Sequence, residues 1–146
     1  MWWPLTGMRA PDGRAVDGPL GTPRVTSERF GFETTGEDVE ALNGLVRAGG
    51  TTPFDITAIS AATYPAVADA CAITRCGGSF GEGYGPRVVV RTDSPVRTMD
   101  GLRGTRIAVP GTGTSAFLGL SMMLGGEGGP GPERGFEHEA VLFSDV

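Results

Sequence analysis

Cysteine and histidine are scarce in this 146-residue chain: there are two cysteines and one histidine. A zinc site needs about four ligands at characteristic spacing, and Cys71, Cys76 and His138 cannot supply them. The two cysteines are therefore expected to be buried free thiols, and no metal is expected. A Ser-His-Asp arrangement would have to use His138, which lies between Glu137 and Glu139 after a glycine-rich linker and reads as a surface histidine. Positive charge is also thin. Twelve basic residues face seventeen acidic ones, for a net charge of −5, and no basic cluster stands out. Nucleic acid is not an expected partner. No stretch approaches the ~18 apolar residues of a membrane span. The N-terminal MWWPLTGMR has no basic region ahead of an apolar core, and Pro4 interrupts it. It does not read as a signal peptide, so the expected location is cytoplasmic and no membrane partner is expected.

What is present is an ordinary globular composition, 39% hydrophobic and 20% charged, with 25 glycines and 11 prolines gathered in turns. The length suits one domain. Residues 1–7 read as part of a helix and 8–24 as an exposed loop. Val25 to Phe32 reads as a short strand. Thr35 to Gly50 reads as a helix, with Thr35 and Asp38 as a capping box, Val39, Leu42, Leu45 and Val46 as its apolar face, and Gly49-Gly50 as its stop. Phe54 to Ser60 and the β-branched run Arg87 to Arg91 read as strands, and Pro65 places a helix start near Thr63. Glu139 to Phe143 reads as the last strand. This alternation predicts an α/β domain, a mostly parallel sheet with helices on both faces. Ligands of such sheets bind at the carboxyl ends of strands. That rule selects three loops: Ser60 onward, 77–86 and 110–115.

The segment RIAVPGTGTSAFLGLSMML (106–124) is the most informative. It reads as a buried strand, a glycine turn at Pro110–Gly113, and a helix opened by Thr114 and Ser115. Free amides at a helix N-terminus suit an anion, and two hydroxyls add donors. The same hydroxyls serve as plain helix caps. Gly111, Gly113 and Ala116 match a G-x-G-x-x-A dinucleotide pattern, but no acid closes a following strand about 20 residues on. No lysine follows the glycines, so there is no P-loop. Glu82 reads as a solvated loop carboxylate. No residue presents itself as catalytic.

Four segments in order, DVEALNGLVRAG, DITAISAATYPAVAD, RCGGSFGEGYGPRVVVR and LRGTRIAVPGTGTSAFLGL, resemble the menaquinone-biosynthesis family. The branch they resemble is its 1,4-dihydroxy-6-naphthoate synthase branch; the chorismate dehydratase branch lacks the SFGxGYGP loop. The resemblance implies one lobe of a type II periplasmic-binding-protein-like fold. It implies a lyase that cleaves cyclic dehypoxanthine futalosine on the futalosine route to menaquinone, with no cofactor and a small-molecule carboxylate as substrate. The family's ligand-contacting segment falls on Ala58, Ile59 and Ser60, and its hydroxyl pair falls on Thr114 and Ser115. Ala58 stands where a lysine is often found.

The departures shape the remaining expectations. The chain starts where family members are already inside their first helix, so the first strand is expected to be missing. Residues 1–27 are then a remnant of that helix plus a Gly/Pro-rich loop, and 28–146 a partial first lobe. The family's catalytic histidine lies in a second lobe past Val146, and His138 does not match it. A sheet without an inner strand is expected to be marginal or to aggregate. The rival reading is a non-catalytic solute-binding protein of the same fold that carries a small carboxylate.

Overall fold

A strand followed by a glycine turn and a capped helix forms at the expected place, but the strand is not the buried one expected: within it only Val109 is buried. In the computed structural model, which describes residues 12, 14, 22, 26–49, 54–75, 77–125 and 135–142, β1 spans Arg106–Val109. The following helix spans Ser115–Leu124, and β2 spans Glu137–Ala140. The two strands are parallel, with Arg106 opposite Glu137, Ile107 opposite His138, Ala108 opposite Glu139 and Val109 opposite Ala140. Parallel strands need a crossover, and the helix supplies it. The ladder continues at both ends, where Glu137 N donates to Thr105 O (2.9 Å) and Val141 N to Val109 O (2.9 Å). Arg106 lies 3.9 Å from the Glu137 carboxylate and 3.6 Å from that of Glu139.

The core of this strand–helix–strand unit is Leu102, Val109, Leu120, Leu124 and Phe136, with Val96, Met99, Ile107 and Phe117 packed on it. Leu102 enters from a 3-10 turn at Asp100–Leu102. Arg103 Nη1 donates to Leu124 O (2.9 Å), satisfying a carbonyl that the helix end leaves without a partner.

An earlier helix, α1, spans Val39–Arg47, so the crossover helix is α2. Its N-cap is Asp38, whose carboxylate accepts from Glu40 N (2.8 Å). The cap expected at Thr35 is therefore three residues early. The Asp38 carboxylate holds the second amide of the helix, the usual N-cap contact, so Asp38 rather than Thr35 caps it. Beyond α1, Gly49 turns the chain at φ +67°. Its expected apolar face is only partly used: Leu45 is 41% exposed, whereas Asn43 is fully buried. The helix expected from Thr63 is a single 3-10 turn, Tyr64–Ala66.

Residues 26–32, 54–60 and 87–91 join no ladder. Their composition favours strands, but a strand exists only where another backbone pairs with it, and among the described residues β1 and β2 alone do so. Residues 143–146, including the expected end of the last strand at Phe143, lie outside the described residues. So do nearly all of the N-terminal helix and loop. The arrangement is α/β, with a small parallel sheet and helices, and is consistent with a periplasmic-binding-protein-like architecture. The chain divides into two units, Met1–Gly36 with Thr74–Ser79 and Glu37–Ile73 with Phe80–Val146. In the first, Asp12 and Arg14 make a local ion pair, and Ser27 Oγ accepts from the amides of Arg29 and Phe30. The second holds every helix and strand named above.

Candidate functional site

The glycine turn after β1 is shaped from both ends. Gly111 sits at φ +125°, a backbone region that side chains rarely adopt. Thr114, 4% exposed, is the N-cap of α2. Its Oγ1 donates to Gly111 O (2.8 Å) and accepts from Phe117 N (3.2 Å). Both roles of that hydroxyl are thus used within the turn. The first-turn amides of Ser115 and Ala116 have no acceptor inside the helix.

A carboxylate does sit on this turn, and it is the chain's own. Gly113 N donates to Glu40 Oε1 (2.9 Å) and Oε2 (3.1 Å), which brings α1 against the turn. A Cβ at Gly111 would overlap the Glu40 side chain. One at Gly113 would come within 2.9 Å of Glu40 Oε2 and 3.0 Å of Thr63 Oγ1. The glycines are needed here for close approach as well as for conformation.

One turn along α1, Asn43 ties the same helix to the loop at Ser60. Its Oδ1 accepts from Ser60 N (2.9 Å), and its Nδ2 donates to Ser60 Oγ (3.2 Å) and to Glu40 Oε2 (3.0 Å). The loop then meets α2. Thr63 Oγ1 donates to Gly113 O (2.9 Å), and Ala62 N donates to Ser115 Oγ (3.3 Å). The 60–63 and 111–115 loops therefore come together, although the segment before Ser60 is not a strand. Residues 80–86 of the third loop make no hydrogen bond to either one among the described residues.

The five residues singled out from the sequence take different places. Ser60 and Ser115 flank the junction, the first half-buried and the second exposed. Each oxygen accepts one internal bond, and each hydroxyl still has a proton it can donate. Thr114 is buried beneath them as the cap. Ala58 is exposed, and Ile59 is half-buried on the extended segment leading to Ser60. Sequence reasoning passed over Glu40, Asn43 and Thr63. Asn43 carried a usable signal, because a polar residue at helical spacing from Val39 and Val46 falls on the stripe expected to be buried.

Elsewhere, the His138 side chain is exposed on β2, with its ring 4.9 Å from that of Phe117. Cys71 is a free thiol but half-buried rather than buried as expected, while Cys76 lies outside the described residues. Among the described residues no group of three or more His, Cys, Asp or Glu could hold a metal ion. No described helix is long and apolar enough to cross a membrane.

Comparison with known proteins supports the family resemblance. Residues 3–138 match a protein-family model described as menaquinone biosynthesis. A 1,4-dihydroxy-6-naphtoate synthase of Thermus thermophilus is 40% identical over 90 residues, covering 62% of this chain and 30% of that protein. Another from Streptomyces coelicolor is 34% identical over 87 residues, covering 60% of this chain and 28% of its own length. The chain thus spans under a third of the length of the curated relatives it matches. No solved structure matches it.

Proposed function

The chain belongs to the menaquinone-biosynthesis family, and on that premise we propose that it carries substrate-binding residues of a 1,4-dihydroxy-6-naphthoate synthase-like lyase. The substrate in this reading is cyclic dehypoxanthine futalosine, whose aromatic carboxylate docks at the junction of the 60–63 loop and the start of α2. Ser60 and Ser115 donate their hydroxyl protons to it. The amides of Ser115 and Ala116 add two donors, and the helix dipole favours the negative charge. With Ala58 in place of a lysine, neutral donors carry the recognition. Thr114 holds the turn that presents them, and Ala58 and Ile59 line the approach. No residue of the chain is assigned a catalytic role; the second lobe of the same protein would supply it. No cofactor is called for, and the substrate points to a cytoplasmic enzyme.

The supporting observation is the hydrogen-bond direction at the two serines. Both oxygens accept from within, from Asn43 Nδ2 and from Ala62 N, so both hydrogens remain for a ligand. The test is titration of the chain with 1,4-dihydroxy-6-naphthoate, followed by calorimetry. Saturable binding is expected, and each of Ser60→Ala and Ser115→Ala should weaken it by roughly 1 kcal/mol, several-fold in affinity. Unchanged binding in both variants removes these hydroxyls from the site. Substrate binding without turnover by a chain completed with a second lobe would favour the solute-binding alternative.

A further inference from the structure

Among the described residues, Glu40 is the one charged side chain inside the network that joins the candidate binding loops. It meets two kinds of donor together: the Gly113 amide, shared between both oxygens at 2.9 and 3.1 Å, and Asn43 Nδ2 at 3.0 Å. An ionised carboxylate only accepts, so it satisfies both at once. The consequence passes through Asn43. Because Nδ2 is turned toward Glu40, Oδ1 is turned to the Ser60 amide, and Nδ2 also reaches Ser60 Oγ at 3.2 Å. Asn43 is fully buried, so its amide has no water with which to exchange these bonds.

We infer that Glu40 is a positioning residue: by fixing the Asn43 amide and the Gly113 turn, it makes the Ser60 hydroxyl donate outward and sets Ser115 beside it. This rests on the reading of Ser60 and Ser115 as ligand hydroxyls. It assigns Glu40 no contact with the ligand and no part in bond breaking. The role demands an acceptor-only group. A glutamine of the same shape offers one oxygen, and its NH2 would face a donor. Glu40→Gln should therefore disturb the network even though it fills the space.

The experiment compares wild-type and E40Q chains in two ways. The first needs no ligand: amide hydrogen exchange followed by mass spectrometry on peptides covering 57–63 and 110–118. Faster exchange confined to those peptides is expected, with a melting temperature close to wild type. The second is titration with 1,4-dihydroxy-6-naphthoate, for which affinity should fall roughly tenfold. Unchanged exchange at 57–63 overturns the inference whether or not the wild type binds the naphthoate. Wild-type affinity retained in E40Q overturns it as well. An E40Q chain that loses its fold altogether makes Glu40 a stability residue and also overturns the positioning role. A wild type that binds no naphthoate, with exchange at 57–63 still accelerated in E40Q, defeats the binding reading alone and leaves the orientation of Asn43 and Ser60 by Glu40 supported.

Discussion

Asp12 and Arg14 show what a local charge pair does in open solvent. The Arg14 guanidinium lies against the Asp12 carboxylate (Nε–Oδ2 2.7 Å), and the Arg14 amide donates to Oδ1 (3.1 Å). The side-chain bond first, and the backbone bond second, hold the Asp12 carboxyl below its ordinary value. A depressed carboxylate contributes stability above the unfolded-state value and loses it as pH falls through the folded-state value. For a fully exposed pair this contribution is small. Arg14→Ala should return Asp12 to the ordinary carboxylate range, read from its side-chain carbon shift in an NMR titration; an unmoved midpoint would show that the pair does not persist in solution. At the same scale, the candidate site was only half legible. Thr114 and Ser115 could be picked out as hydroxyls opening a helix after a glycine turn, where capping is their ordinary use, and Ser60 came from the family resemblance. Glu40 looked like any first-turn acid on an exposed helix. Its partner is the Gly113 amide 73 residues away, and no local pattern encodes that distance.

Among the elements, α2 was the most legible, because cap, turn and apolar content agree within one short segment. The Thr114 cap is expected to matter to it. Thr114→Ala removes the acceptor for Phe117 N, which is part-buried, and the donor to Gly111 O, which is buried. A loss of about 1–2 kcal/mol in urea unfolding is expected, with Thr114→Ser retaining most of the stability. Equal stability of the alanine and wild-type chains would mean that water replaces the cap. α1 was expected in the right region, though too long, and its anchoring was misread. Its periodicity suggested an apolar face, yet Leu45 stays exposed while Glu40 and Asn43 make the attachments described above. Periodicity reports which side of a helix can be buried. It does not report whether apolar packing or hydrogen bonding does the holding.

For the whole molecule, the long-range order was where sequence reasoning overreached. The strand–helix–strand unit could be read because its two strands are joined by the helix that separates them. The run Arg87–Arg91 carries the same β-branched signal as a buried parallel strand, yet Val89 is 73% exposed and the run pairs with nothing among the described residues. Composition gives a segment the capacity for a strand, and only a neighbouring backbone turns that capacity into one. An exposed β-branched segment invites pairing with another chain. Val88, Val89 and Val90 should therefore drive self-association of the 146-residue chain, growing with concentration in sedimentation velocity. A charge on the most exposed of the three interrupts the apolar surface, so Val89→Lys should shift the distribution toward monomer. Because Val89 lies outside the core formed by Leu102, Val109, Leu120, Leu124 and Phe136, its replacement should leave helical circular dichroism and the melting temperature nearly unchanged. If V89K associates as strongly as wild type, the sticky surface lies elsewhere, and Leu118 and Met122, exposed one turn apart on α2, become the next positions to charge.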